Sequence, residues 1–211
     1  MGEMMKKEEI VRTLVAIALT TVFVVACEKN VNHSTNAVGE NDARQMESMD
    51  SMPQDYFGKG AIGEFDVYVV SDNAKIYEDT LSPLNGRYTG DFVLEVFKDN
   101  KLTDSQKINF DDNEVYFSKG FTINKVDYND DGKDDFAIGN YMSSNYDIYN
   151  FYSLSLDGKI ELLYDQDGNK ATVLADKMGE SPKFSAKNKE LEYDYYDMHK
   201  GKHTKKVLKL K

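Results

Sequence analysis

From Tyr56 to Lys211 the apolar residues come in short runs, and each run is cut by a residue pair that turns the chain. Phe65, Val67 and Val69 alternate with Asp66 and Tyr68. Phe92, Leu94 and Val96 alternate with Val93 and Glu95 before Lys98-Asp99-Asn100-Lys101 intervenes. Ile148 to Leu156 runs into Asp157-Gly158, and Ile160 to Tyr164 leads back. Aromatic and β-branched side chains at a period of two cover a pleated surface, while Asp-Gly, Asp-Asn and Lys-Gly pairs accept the backbone of tight hairpins. No long stretch repeats at 3.6 residues, as an amphipathic helix would. The pattern predicts one mainly β domain over residues 56–211. Its expected form is a compact antiparallel, sandwich-like sheet structure built from hairpins, with at most a short helix near Ala171 to Met178. A segment of this length can enclose a core of its own.

The last two strands carry an internal check on this reading. Glu190, Glu192 and Asp194 alternate with Leu191, Tyr193 and Tyr195, and Lys205 and Lys209 alternate with Leu208 and Leu210. Folded over His199-Lys200-Gly201-Lys202-His203, the strands set acids against lysines on one face and apolar groups on the other. Exposed cross-strand pairs contribute only about 0.2–1 kcal/mol each, so they select register more than they add stability. A basic tail for a membrane or a polyanion is the alternative reading of the same lysines.

Cys27 is the only cysteine, so no intrachain disulfide holds the fold, which must rest on packing, hydrogen bonds or a metal. It stands at the end of the apolar run Thr13 to Ala26, which follows Lys6, Lys7 and Arg12. A cationic start, a short hydrophobic middle and a small residue before the cut are the layout of a secretory signal. The run is shorter than the roughly 20 residues that a membrane-crossing helix needs. The four residues Val24-Val25-Ala26-Cys27 resemble the lipobox of bacterial lipoproteins. The resemblance implies that residues 1–26 are a signal peptide and that the Cys27 thiol receives a diacylglyceryl group. It also implies that the protein is held by that lipid on the extracytoplasmic face of a membrane in the cell envelope. Two acyl chains suffice for stable anchoring where one is marginal. Residues 27–55, rich in Asn, Ser, Glu and Asp without hydrophobic period, are expected to form a tether with a coil reach on the order of 30 Å.

The formal net charge of −11 survives removal of the signal peptide, because Lys6, Lys7 and Arg12 are matched by Glu3, Glu8 and Glu9. So acidic a chain is unsuited to nucleic acid, and divalent cations are its natural counter-ions.

One segment has the pattern that binds such a cation. Asp127-Tyr128-Asn129-Asp130-Asp131-Gly132-Lys133-Asp134-Asp135 puts oxygen-bearing side chains at positions 1, 3, 5 and 9, with glycine at 6 for the sharp turn and a backbone carbonyl available at 7. The candidate ligands are Asp127, Asn129, Asp131, the carbonyl of Lys133, and Asp135. Three carboxylates in an irregular oxygen shell favour Ca²⁺ over Mg²⁺, which demands stricter geometry. Soft metals lack ligands, since no other cysteine exists and no histidine is near. An EF-hand is excluded because its twelfth position, here Ile138, should be a bidentate Glu. The stretch Val126 to Gly139 resembles the calcium loop of FG-GAP or VCBS repeats, the units of the integrin α-chain propeller. The resemblance implies a loop between two antiparallel strands with the ligands named above. A propeller needs at least four blades of four strands, so this chain is too short for a complete one. Asp165-Gln166-Asp167-Gly168-Asn169 lacks the first ligand, Leu163 standing in its place, and reads as a turn.

Catalytic patterns are thin. There is no nucleophile elbow and no phosphate-binding glycine loop, and the histidines are His33 in the tether and His199 and His203 in a lysine-rich turn. Tyr141, Tyr146, Tyr149 and Tyr152 follow the calcium loop closely. On an exposed sheet face they would serve as a binding surface for a protein or glycan, and otherwise they fill a core. Three functions stay open: a non-enzymatic, calcium-stabilised binding module on a lipid anchor, an envelope hydrolase using acidic residues, and a purely structural lipoprotein.

Overall fold

A computed structural model describes residues 52–111 and 113–211, and the regular structure of those residues is strand throughout. The signal peptide, the lipidation of Cys27, His33 and nearly all of the tether lie outside the described residues. The tether's last residues already belong to the domain. The Tyr68 hydroxyl donates to Met52 Sδ at 3.3 Å, and Lys119 Nζ pairs with Asp55 at 2.6 Å.

Strands β1 (Gly58–Ile62), β2 (Phe65–Val70), β3 (Lys75–Ile76), β4 (Tyr88–Thr89), β5 (Val93–Lys98), β6 (Lys101–Lys107), β7 (Tyr116–Phe117) and β8 (Phe121–Thr122) make up the first half. Five of them form one sheet in the order β6-β5-β2-β1-β8, and β3-β4-β7 form a small one. The second half contains β9 (Lys125–Val126), β10 (Asp135–Tyr141), β11 (Tyr146–Leu154), β12 (Ile160–Leu162) and β13 (Thr172–Asp176). They form a second large sheet, β12-β11-β10-β9, in which β13 also pairs with β11. The last three strands, β14 (Ser185–Lys187), β15 (Glu190–Asp197) and β16 (Lys202–Lys209), form a sheet in sequence order. Pairing is antiparallel except between β1 and β8, where Gly58 lies parallel to Phe121. Among the described residues no sheet closes into a barrel or a propeller.

The hairpins fall where turn chemistry puts them. Asp99 and Asn100, at φ 51° and 65°, join β5 to β6, and Gly158, at φ 78°, lies in the β11–β12 turn. The final hairpin has the expected register, with Glu190 opposite Lys209, Asp194 opposite Lys205 and Leu191 opposite Leu208. Lys209 reaches Glu190 at 3.0 Å. Asp165 to Asn169 closes on itself as a turn, the Asn169 N–H donating to Asp165 Oδ1 at 2.8 Å.

The short helix expected near Ala171 to Met178 is instead strand β13. Its Val173 and Ala175 are buried while Thr172, Leu174 and Asp176 are half-buried, an alternation set by pairing with Tyr146 to Asn150 of β11. The free edge of a neighbouring strand overrides the helix propensity of Ala, Leu and Lys here.

Two cores lie on opposite faces of the second large sheet. Phe136, Ile138, Ile148 and Tyr152 join Val67, Val69, Leu94 and Val96 of the first sheet. On the other side Ala137, Tyr149 and Phe151 join Val173, Ala175, Phe184, Leu191 and Leu210, which brings the C-terminal sheet over that face. Strand β10 is therefore buried along nearly all of its length, and so is β11.

Candidate metal centre

Strands β9 and β10 run antiparallel, with Asp135 opposite Val126, and the nine-residue motif begins one residue after Val126. The setting is strand, loop, strand, as the motif requires. Gly132 at φ 81° makes the sharp turn, and Asp130 at φ 54° takes the left-handed conformation that aspartate tolerates better than most residues.

Within the loop the candidate ligands fold inward upon its backbone. Asp127 accepts the N–H groups of Asp131, at 3.2 Å, and Gly132, at 2.9 Å, on its two carboxylate oxygens. The Asn129 side-chain oxygen accepts the same Asp131 N–H at 3.2 Å, and Asp131 Oδ1 accepts the Lys133 N–H at 2.9 Å. The side chain of Lys133 is exposed, with Nζ 3.9 Å from Asp131 Oδ2. Among the described residues no three Asp, Glu, His or Cys side chains are already drawn together as a metal cage.

Asp135 differs from the other ligands. It is 0% exposed. Its Oδ2 accepts the Tyr128 N–H at 2.9 Å, while its Oδ1 is buried and has no hydrogen-bond partner. Its carboxyl is raised to about 6, first by burial and also by the negative charges of Asp131 and Asp127, against the opposing pull of the Tyr128 N–H and Ser153. The residues at positions 1, 5 and 9 therefore share one electrostatic neighbourhood. A buried carboxylate oxygen without a partner, beside two more carboxylates, is a donor set that fits a hard cation. The residues present thus fit Ca²⁺ by charge and by donor type.

The four tyrosines do not form one surface. Tyr149 is 0% exposed and Tyr152 2%, which removes both from the candidate binding face. Tyr149 fills the space left by Gly139, where an added Cβ would stand 2.3 Å from its ring, and its hydroxyl accepts the Met178 N–H at 2.9 Å. Tyr152 stacks on Phe136 with ring centroids 5.4 Å apart. Because β11 is covered on both faces, its Tyr149, Phe151 and Tyr152 are core on one side or the other. Tyr141 and Tyr146 are half-buried. Lys177 Nζ lies 4.2 Å from the Tyr141 ring centroid, and Tyr146 packs on Tyr195 at 5.8 Å.

Two features escaped the sequence reading. Asp147, 6% exposed, has a buried Oδ1 without a partner, and the Tyr149 hydroxyl lies 3.4 Å from its Oδ2. Its only signal was an acid inside the run Tyr146 to Leu154. The second is a groove of about 300 Å³ beside the candidate metal loop, lined by Gly132–Asp134, the Gly63-Glu64 turn, Phe65 and Leu154. Neither histidine near the C-terminus joins a metal cluster, since His203 pairs with Asp176 at 2.6 Å and His199 is exposed.

Comparison with protein-family models, with curated proteins and with solved structures found no match for this chain.

Proposed function

We propose that this chain is a lipid-anchored extracytoplasmic lipoprotein whose β-domain binds Ca²⁺ at Asp127, Asn129, Asp131, the Lys133 carbonyl and Asp135, and that it acts as a non-enzymatic binding module for a protein or glycan. The observation that carries the metal is Asp135: a fully buried carboxylate, one oxygen unpartnered, beside two further carboxylates. The anchor rests on Val24-Val25-Ala26-Cys27 at the end of a short apolar run. The groove beside the loop supports the binding role, since it combines the apolar Phe65 and Leu154 with polar backbone at Gly132. Bound in the loop, Ca²⁺ would supply positive charge, while the chain's own residues would supply the coordinating oxygens and set the loop's shape.

Extracellular modules bind Ca²⁺ at about 10⁻⁴–10⁻³ M, so the domain's stability should follow the calcium outside the cell. At ten times its dissociation constant the ion adds about 1.4 kcal/mol, equivalent to about 3–6 °C in Tm for a domain of this size. Calcium titrated against thermal unfolding and against calorimetric heat measures this. Asp131→Ala should abolish both responses, and a wild-type protein whose Tm ignores calcium would sink the proposal.

A further inference from the structure

The metal loop divides its residues by parity. The odd positions, Asp127, Asn129, Asp131, Lys133 and Asp135, are the candidate ligands. The even positions on its N-terminal side reach out to the C-terminal part of the fold.

Tyr128, at position 2, is fully buried, with its ring edge-on to Phe151 at 5.1 Å and to Phe184 at 6.5 Å. Its hydroxyl donates to the Pro182 carbonyl at 3.2 Å and lies 3.5 Å from the Phe184 N–H. It shares its core with Leu191 of β15 and with Leu210. Asp130, at position 4, accepts the Lys189 N–H on Oδ2 at 3.2 Å. Lys189 and Asn188, at φ 61° and 54°, form the turn between β14 and β15, and the Lys189 carbonyl takes the Leu210 N–H at 2.8 Å. Position 8 turns the other way, as Asp134 pairs with Lys125 at 2.6 Å and accepts the Gly63 N–H at 3.3 Å.

We infer that calcium in this loop governs how firmly the three-stranded C-terminal sheet, β14 to β16, is docked on the rest of the domain. This rests on the proposed calcium site. Odd and even residues alternate along one short backbone, so the loop cannot relax around its ligands without moving Tyr128 and Asp130. Without a cation the three carboxylates repel one another, and the loop opens. Tyr128 is then drawn from the core beneath the sheet, and Asp130 from the turn that begins it. The opposite tie is weak, being one exposed ion pair and one long hydrogen bond, so the displacement is passed to the C-terminal side. Besides the core around Leu191 and Leu210, the sheet is held at the end of its last strand, where Asp165 bridges Leu210 and the Gln166 N–H donates to the Lys209 carbonyl at 3.0 Å, and by His203 on Asp176 and Tyr195 on Tyr146. A three-stranded sheet docked through one face opens as a unit, and Tyr128 lies in the core under that face.

Amide hydrogen exchange of the full chain, with calcium or with EDTA, tests this while calorimetry reports binding separately. At calcium ten times its dissociation constant, amides of β15 and β16 should exchange about tenfold slower, with β2 and β5 little changed. Asp130→Ala, which removes no ligand, should still bind calcium but lose most of that slowing. Asp134→Ala should keep it. Calcium heat with slowing confined to residues 125–140, or the full slowing retained in Asp130→Ala, overturns the inference and leaves the metal site standing. Neither heat nor slowing overturns both.

Discussion

Asp135 is the residue on which the proposed metal site turns. Its charge is out of water, beside Asp127 and Asp131, with one oxygen unpartnered. Without calcium that arrangement is destabilising, and with calcium it would become a ligand, as proposed. Asp135→Asn separates the two effects. The asparagine oxygen can still accept the Tyr128 N–H, and its amide can donate toward the neighbouring carboxylates. In EDTA this variant should be more stable than wild type by about 1–3 kcal/mol, and added calcium should no longer raise its Tm. Paired melting curves with and without calcium check it, and a variant less stable than wild type in EDTA would count against the electrostatic account. The candidate ligands at the odd positions could be named from spacing alone, because such a loop is a local pattern. The burial of Asp135 was not legible, since it depends on the sheets that cover β10 from both sides.

At the scale of elements, β11 explains most of the differences between expectation and structure. A strand covered on both faces loses the period-two signal, so its tyrosines could be recognised as aromatic but not assigned to a face. The same cause hid Asp147 and the pairing that makes Thr172–Asp176 a strand. Asp147 is a buried titratable group on β11. Burial raises its carboxyl above the ordinary range, Lys177 and Arg87 pull it down, the Tyr149 hydrogen bond pulls the same way, and Glu180 pushes it up. A carboxyl raised in the folded state takes up its proton more readily there than in the unfolded chain. Its contribution is thus complete below the unfolded value near 3.9 and declines as pH climbs through that value toward the raised one. Asp147→Asn should remove this decline. Urea midpoints between about pH 4 and 7 should then fall less steeply with pH in the variant, and parallel curves would dismiss the assignment. Hairpins with strong turn pairs, such as Asp99-Asn100 and Asp157-Gly158, were legible because their geometry is decided within a few residues.

For the whole molecule, the β class and the register of the last hairpin could be read from alternation, but the layering of three sheets could not. Which faces meet depends on contacts between residues far apart in the chain. The net charge of −11 and the proposed lipid at Cys27 act in opposite senses near an anionic bilayer, one repelling the body and the other retaining it. Cys27→Ser should therefore shift the expressed protein from the detergent phase to the aqueous phase in a cloud-point partition. A wild-type protein already found in the aqueous phase would end the lipoprotein reading.

The parallel contact of β1 with β8 has a kinetic consequence. Gly58 meets Phe121, and Gly60 lies so near Ile123 that an added Cβ would stand 2.4 Å from its carbonyl oxygen. The edge of the first sheet thus waits for a segment some sixty positions downstream, and the entropy of closing that long loop is lost before any pairing rewards it. Assembly is then slow in the manner of other nonlocal β topologies. Until β8 arrives, β1 presents bare backbone donors and acceptors to any other strand, so the unfinished molecule is the form most exposed to aggregation.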